Sequence, residues 1–230
     1  MIYNGVDIDA YRPTPEPATL AAYGIDPARP FLLFVGRITH QKGIFHLLEA
    51  VRFMDPELQV VLCAADPDTP EIGKDMAARV EKLKTEGSRR VVWLSQFMPQ
   101  SDIIRLYSQA ALFVCPSIYE PFGIINLEAM ACGTPVVGAA VGGIREVVRP
   151  EETGLLVPFE PRGPTDPEPK DPGQYARDLA AAVNRLLAAP EMRENMGRRA
   201  RQVVEEHFSW RSIARQTLEY YEWLSQAAGG

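Results

Sequence analysis

Phe31-Leu-Leu-Phe-Val-Gly-Arg-Ile-Thr-His-Gln-Lys-Gly-Ile44 decides how this chain is read. Phe31 to Gly36 is a continuous apolar run of strand length, and apolar residues recur at helical spacing from Ile44 to Met54. Between them lies a short turn with a glycine at each end. A strand with no polar side must be covered on both faces, as in a parallel sheet, where a helix carries the chain back across. Working outward, the same alternation returns. Further strands are predicted at Leu58 to Ala64, Val91 to Leu94, Leu112 to Cys115, Pro135 to Ala139 and Leu155 to Val157. Helical patterns separate them at Glu71 to Glu86, Ser101 to Ala110, Ile124 to Ala131 and Ile144 to Val148. The expected fold is a doubly wound α/β parallel sheet with right-handed crossovers.

Two regions break the alternation. Pro158 to Gly173 holds six prolines and two glycines and reads as an irregular surface loop. Residues 1–17 have the proline content and weak periodicity of a linker. After the loop come three helices, Gln174 to Ala189, Glu191 to Glu206 and Ser209 to Ser225, with Ser209 as an N-cap. The chain thus divides into a linker (1–17), one α/β domain (18–208) and a terminal helical segment (209–230).

Bulk properties narrow the function. With 230 residues, 46% hydrophobic and 23% charged, the chain is sized for one well-buried domain. A net charge of −6 argues against a nucleic-acid surface. Cys63, Cys115 and Cys132 lie in apolar runs without metal-ligand spacing, so reduced, buried thiols in a cytoplasmic protein are expected. No apolar run reaches the ~20 residues of a membrane span.

In an open parallel sheet, ligands bind beyond the carboxyl ends of the strands, so the βα turns are where chemistry is sought. In Gly36 to Gly43, two glycines bracket Arg37 and Lys42. A planar fork and a point charge beside closely approaching backbone suit a diphosphate, although a solvated basic loop would look the same. In Ser117 to Gly123, Glu120 lies in the turn and Glu128 on the following, almost wholly apolar helix. A carboxylate in that setting needs donors, either sugar or ribose hydroxyls or the cation of a buried salt bridge. The N–H groups around Gly123 and Ile124, at the positive end of the helix dipole, offer an anion seat. The third turn, Val141-Gly142-Gly143-Ile144, reads equally as close ligand packing or as a plain tight turn. His46 and His207 read as structural or exposed, and His40 as a minor phosphate candidate.

These residues resemble a known family. Gly36-Arg37, Lys42-Gly43, the pair Glu120 and Glu128 with seven residues between, and Glu128-Ala-Met-Ala-Cys-Gly133-Thr-Pro135 resemble the donor domain of the retaining GT-B glycosyltransferases grouped as family 4. Gly142-Gly143 and Thr153-Gly154-Leu-Leu-Val continue the match in order, as do Tyr3-Asn-Gly-Val-Asp7 and Phe208-Ser-Trp210 at either end. Cys115-Pro-Ser-Ile-Tyr-Glu-Pro-Phe-Gly-Ile-Ile-Asn-Leu-Glu128 looks most like bacterial glycogen synthases of the actinobacterial type.

The resemblance implies a Rossmann-like C-terminal half whose donor is ADP-glucose, or UDP-glucose, and whose acceptor is an α-glucan such as glycogen or a sugar phosphate. Carried over by position, Arg37, Lys42 and Glu120 are the catalytic candidates. Gly36, Gln96, Phe97, Met98, Phe122, Gly123, Ile124 and Glu128 join them as donor-binding residues. Gln96 to Met98 would meet the base and Glu128 the ribose. Neither a metal nor another cofactor is implied. The acceptor would sit on an N-terminal domain that this chain, beginning at the linker, is expected to lack, so donor binding without transfer is expected of it alone. A non-catalytic nucleotide-sugar-binding module is the other reading. On the last helix Ile213, Thr217, Tyr220 and Leu224 form one stripe, while Trp210, Tyr221 and Trp223 lie off it, a surplus that the resemblance explains by a crossing back to that second domain. This helix is expected to be either less ordered than the sheet or buried against a second copy in a homodimer, and packing of its aromatics on the two preceding helices is the alternative.

Overall fold

The structure, a computed structural model, describes residues 2–86 and 90–228. Residue 1 of the expected linker and residues 229–230 of the terminal segment lie outside them. Six parallel strands form the sheet: β1 (Phe31–Arg37), β2 (Gln59–Ala65), β3 (Val91–Leu94), β4 (Leu112–Cys115), β5 (Val136–Ala139) and β6 (Gly154–Val157). Their spatial order is β3-β2-β1-β4-β5-β6. The chain therefore winds outward in one direction from β1 and in the other from β4. Leu32 at the centre pairs with both Val60 and Leu112.

Covering the sheet are α1 (Pro17–Ala22), α2 (Ile44–Val51), α3 (Pro70–Glu86), α4 (Gln100–Gln109), α5 (Ile124–Ala131), α6 (Ile144–Val147), α7 (Pro172–Leu187) and α8 (Pro190–Val203). Leu32, Leu33, Phe113, Val114, Val136 and Val137 are wholly buried, which is why the strands read as unbroken apolar runs. Each such side chain contributes about 1.5–3 kcal/mol of burial. The three thiols are buried too, and burial pushes Cys63 and Cys132 up to about 12.

Several expectations are corrected. Pro158 to Gly173 is not irregular throughout: β7 (Pro161–Gly163) and β8 (Asp166–Pro169) form an antiparallel hairpin. Proline usually forbids a strand because it lacks the N–H a central ladder needs, but a two-stranded ribbon has only edges. Ion pairs Arg162–Asp166 and Lys170–Glu160, both 2.8 Å, close the hairpin, and Glu168 docks it on His46 of α2 at 3.0 Å. The expected first helix ends at Val51, three residues before Met54. The expected helix to Glu206 changes at Val204 into a π-helical turn, Val204–Phe208. Ser209 then caps α9 (Trp210–Ala228), its Oγ accepting from the N–H of Ser212 at 3.1 Å.

The linker is anchored to this last junction. Val6 donates to the Phe208 carbonyl at 2.8 Å, and the Tyr3 ring stacks on Phe122 at 5.8 Å. On α9 only the first turns are covered. Ile213 is buried, whereas Trp210, Tyr220, Tyr221 and Trp223 are each more than half exposed, so these aromatics do not pack on α7 and α8.

Gly43, at φ +65°, shows how tightly the βα turns fit: a Cβ there would lie 1.9 Å from the Pro116 carbonyl oxygen. Gly24 has a similar φ of +71° but faces open space. Gly43→Ala is expected to cost at least about 3 kcal/mol and Gly24→Ala about 1 kcal/mol, measured by urea unfolding. Equal costs would mean that the contact between turns carries no stability.

Candidate functional site

The reversal of strand order between β1 and β4 opens a crevice, and three βα turns close around it. The turn after β1 is held by Thr39, whose Oγ1 accepts from the Lys42 N–H at 3.1 Å. It is sewn to the turn after β4 by Ile118 N–H to the Gln41 carbonyl (3.0 Å) and Gln41 Nε2 to the Tyr119 carbonyl (3.2 Å). The turn after β5 joins through Gly143 N–H to the Glu120 carbonyl at 2.9 Å.

This arrangement unites Lys42 and Glu120, 78 residues apart in sequence, in an ion pair of 2.7 Å from Nζ to Oε2. Ser117 Oγ donates to the same oxygen at 3.1 Å. Lys42 and Glu120 side chains are 23% and 8% exposed, so the pair is largely withdrawn from water. Arg37 is different. It pairs with Asp68 at 2.7 Å with 63% of its side chain exposed, where screening leaves the pair weak.

Beside Arg37 is a cavity of about 240 Å³. It is lined by Val35, Gly36 and Arg37 of β1, by Cys63 and Ala65 at the end of β2 with Asp66 just beyond, and by Gln96, Phe97, Met98 and Ile103. Asp66 takes φ +49°, a left-handed conformation that Asp tolerates better than most residues. The Phe97 ring, 90% exposed, stands at the rim.

Glu128 is not part of that wall. Its carboxylate receives the Tyr107 hydroxyl at 3.3 Å and a second bond from Tyr11. Burial raises its carboxyl above the ordinary value, against the pull of the two hydroxyls. Among the described residues no cation pairs with Glu128, so the buried salt bridge considered from sequence is replaced by phenol donors. Phe122, Gly123 and Ile124 lead into α5 with no capping side chain, and among the described residues their N–H groups have no acceptor. His46 is a docking residue for Glu168, and burial lowers its pKa, while His40 lies 4.0 Å from the same carboxylate.

Sequence reasoning missed Asp68, Ser117, Tyr11 and Tyr107. Asp68 lies just beyond β2, on the same sheet edge as Arg37, which is the signal that could have found it. Tyr107 sits on the buried side of α4 and reads as core. Tyr11 comes from the linker, whose path over α4 leaves no periodicity.

Among the described residues no group of three or more His, Cys, Asp or Glu side chains could hold a metal ion, and no helix is long and apolar enough to cross a membrane.

A doubly wound sheet with paired charges and free N–H groups at its switch point defines a ligand-binding α/β domain of the Rossmann-like kind. The chain belongs to the glycosyltransferases of group 1: the profile described as "Glycosyl transferases group 1" matches residues 16–163. It is similar to the alpha-maltose-1-phosphate synthase of Mycolicibacterium smegmatis, 43% identical over 98% of this chain and 57% of that protein. Among solved structures, sucrose-phosphate synthase from Thermosynechococcus elongatus superimposes with a TM-score of 0.75 at 35% identity, covering 98% of this chain and 52% of that one. Anabaena Alr3699/HepE, in complex with UDP and glucose, gives 0.77 at 25% identity, covering 96% and 56%. The chain spans a little over half the length of each. The first two are named for sugar phosphates, so the narrower resemblance to glycogen synthases is not what these relatives single out.

Two outcomes follow from the electrostatics. Lys42→Met, which leaves Glu120 buried without its cation, is expected to cost about 2–3 kcal/mol in urea unfolding, and Arg37→Ala less than about 1 kcal/mol. Similar costs would contradict the difference in burial. For Glu128, the native state holds its proton to higher pH than the unfolded chain does. Its contribution is therefore complete below the ordinary value near 4.5 and declines as pH rises through the raised native value. Glu128→Gln should flatten that decline and leave stability at pH 7 equal to or above the parent's. A marked loss at pH 7 would show that an ionised carboxylate is required.

Proposed function

We propose that the chain is the donor-binding half of a retaining glycosyltransferase, moving a glucosyl group from a nucleoside-diphosphate glucose to a phosphorylated sugar. The observation that carries this reading is the meeting of Lys42 and Glu120 across the β1–β4 crevice at 2.7 Å, with Arg37 and a cavity beside it. Arg37 and Lys42 neutralise the diphosphate. As the bond from the sugar's anomeric carbon breaks, negative charge grows on the leaving phosphate, where Lys42 and Arg37, once drawn from its exposed pair with Asp68, stabilise it. Glu120 accepts donor-sugar hydroxyls; among the described residues its two side-chain partners, Lys42 and Ser117, both use Oε2, so Oε1 keeps its lone pairs. Gly36 allows the backbone close to the phosphates. Gln96, Phe97 and Met98 hold the base, with the Phe97 ring available for stacking. The N–H groups of Phe122, Gly123 and Ile124 reach phosphate and sugar oxygens. Glu128, oriented by two tyrosines, takes the ribose.

The phosphorylated acceptor is supported by the relatives' names. A maltose 1-phosphate arises when a glucosyl group is joined to a glucose that already carries a phosphate. The remainder of the whole protein supplies the acceptor site, and the exposed aromatic face of α9 packs against it. A reducing cytoplasm suits the three buried, unpaired thiols.

Calorimetric titration with ADP, UDP and their glucose conjugates tests the donor site. One nucleotide series is expected to bind, and replacing Arg37 and Lys42 together by alanine should weaken it at least about tenfold, a loss of about 1.4 kcal/mol or more. Unchanged affinity would overturn the diphosphate assignment. In the complete enzyme, labelled glucose should appear in a small sugar phosphate; label in glycogen instead would return the acceptor to a glucan.

A further inference from the structure

Asn126 is wholly buried on α5, two residues before Glu128, and its Oδ1 is the one buried side-chain polar atom without a partner among the described residues. Its Nδ2 donates to the Gly123 carbonyl at 3.1 Å, and its backbone N–H donates to the same oxygen at 2.9 Å. The amide orientation is fixed by chemistry, because turning it over would set two oxygens against each other. A buried orphan acceptor is costly, so the group needs a reason to be there.

The reason lies in how α5 begins. An N-cap normally uses a Ser, Thr, Asn or Asp side chain to accept the first free N–H groups of the helix. That would consume the donors a phosphate or sugar oxygen needs. Here the N-cap is Gly123, with φ +89° and ψ +48°, and it has no side chain to cap with. A left-handed glycine is the least restrained way to enter a helix. Asn126 supplies the missing restraint from below, gripping the Gly123 carbonyl and leaving the N–H groups free. A Cβ on Gly123 would stand 2.6 Å from Asn126 Nδ2, so the two residues are matched in shape as well.

We infer that Asn126 is a positioning residue, holding the Gly123 carbonyl so that the N–H groups of Gly123 and Ile124 stay aimed at the donor. This rests on the proposed donor site, but one arm of its test does not. Asn126→Leu keeps the branching and the number of heavy atoms and removes both the side-chain bond and the orphan oxygen. Asn126→Ser keeps a donor, since a helical serine bonds readily to the carbonyl three residues back. Amide hydrogen exchange, read without ligand and relative to the intrinsic rate, is expected to speed up about tenfold in Asn126→Leu at the backbone N–H of position 126, which is bonded to the Gly123 carbonyl at 2.9 Å, and to stay near the parent in Asn126→Ser. Affinity for the nucleoside-diphosphate glucose that binds the parent should fall about tenfold in Asn126→Leu and be restored in Asn126→Ser. If both variants lose stability while exchange at the backbone N–H of position 126 stays as in the parent, Asn126 is a packing residue and the inference is overturned. If the parent binds no nucleotide sugar, the donor reading fails, and the exchange arm still decides what Asn126 does.

Discussion

The structure depends on three βα turns being able to touch backbone to backbone. Gly43 lies against the Pro116 carbonyl, while Gly142 and Gly143 lie against Glu120 and Phe122; a Cβ at any of the three would fall within 2.3 Å of a main-chain atom. No side chain could be interposed, and no other residue type would allow the approach. The sheet places these turns at one edge, and the glycines let them close into a single unit. Residues far apart in sequence, Lys42 and Glu120 above all, thereby acquire fixed neighbours.

Charge in this unit is distributed unevenly. Glu120 and Lys42 are tightly paired and mostly buried, so each depends on the other for its stability in the fold. Arg37 and Asp68 are exposed and weakly held. On the proposed donor reading, an arriving diphosphate displaces Asp68 at little cost, since an exposed pair contributes only about 0–1 kcal/mol. Glu120, by contrast, keeps its place through Ser117 as well as Lys42. On the same proposed reading, the site combines a rigid carboxylate for the sugar with a movable guanidinium for the phosphates.

The sequence made the sheet legible because strands buried on both faces cannot hide their composition. Gly36 to Gly43 and Ser117 to Gly123 were legible as candidate sites because cations and carboxylates stood at strand ends beside glycines, and the structure brings the two turns together. Other features depended on partners that no local pattern encodes. The β7–β8 hairpin was obscured by prolines that edge strands tolerate, and it is fixed by Glu168 reaching His46 on a distant helix. Glu128 was legible as a carboxylate in apolar surroundings, and the structure leaves it partly buried, but its tyrosine donors come from α4 and the linker. The uncovered aromatics of α9 were expected from their surplus around the helix, since one apolar stripe suffices to pack a helix on its own domain.

The most direct measurement is a crystal structure of the chain with a bound nucleoside-diphosphate glucose. The diphosphate should lie across the β1–β4 crevice within about 3 Å of Arg37 and Lys42, with a sugar hydroxyl at hydrogen-bond distance from Glu120. The base should occupy the cavity beside Gln96, Phe97 and Met98. Ligand bound elsewhere, with the Lys42–Glu120 pair and the cavity undisturbed, would contradict the account.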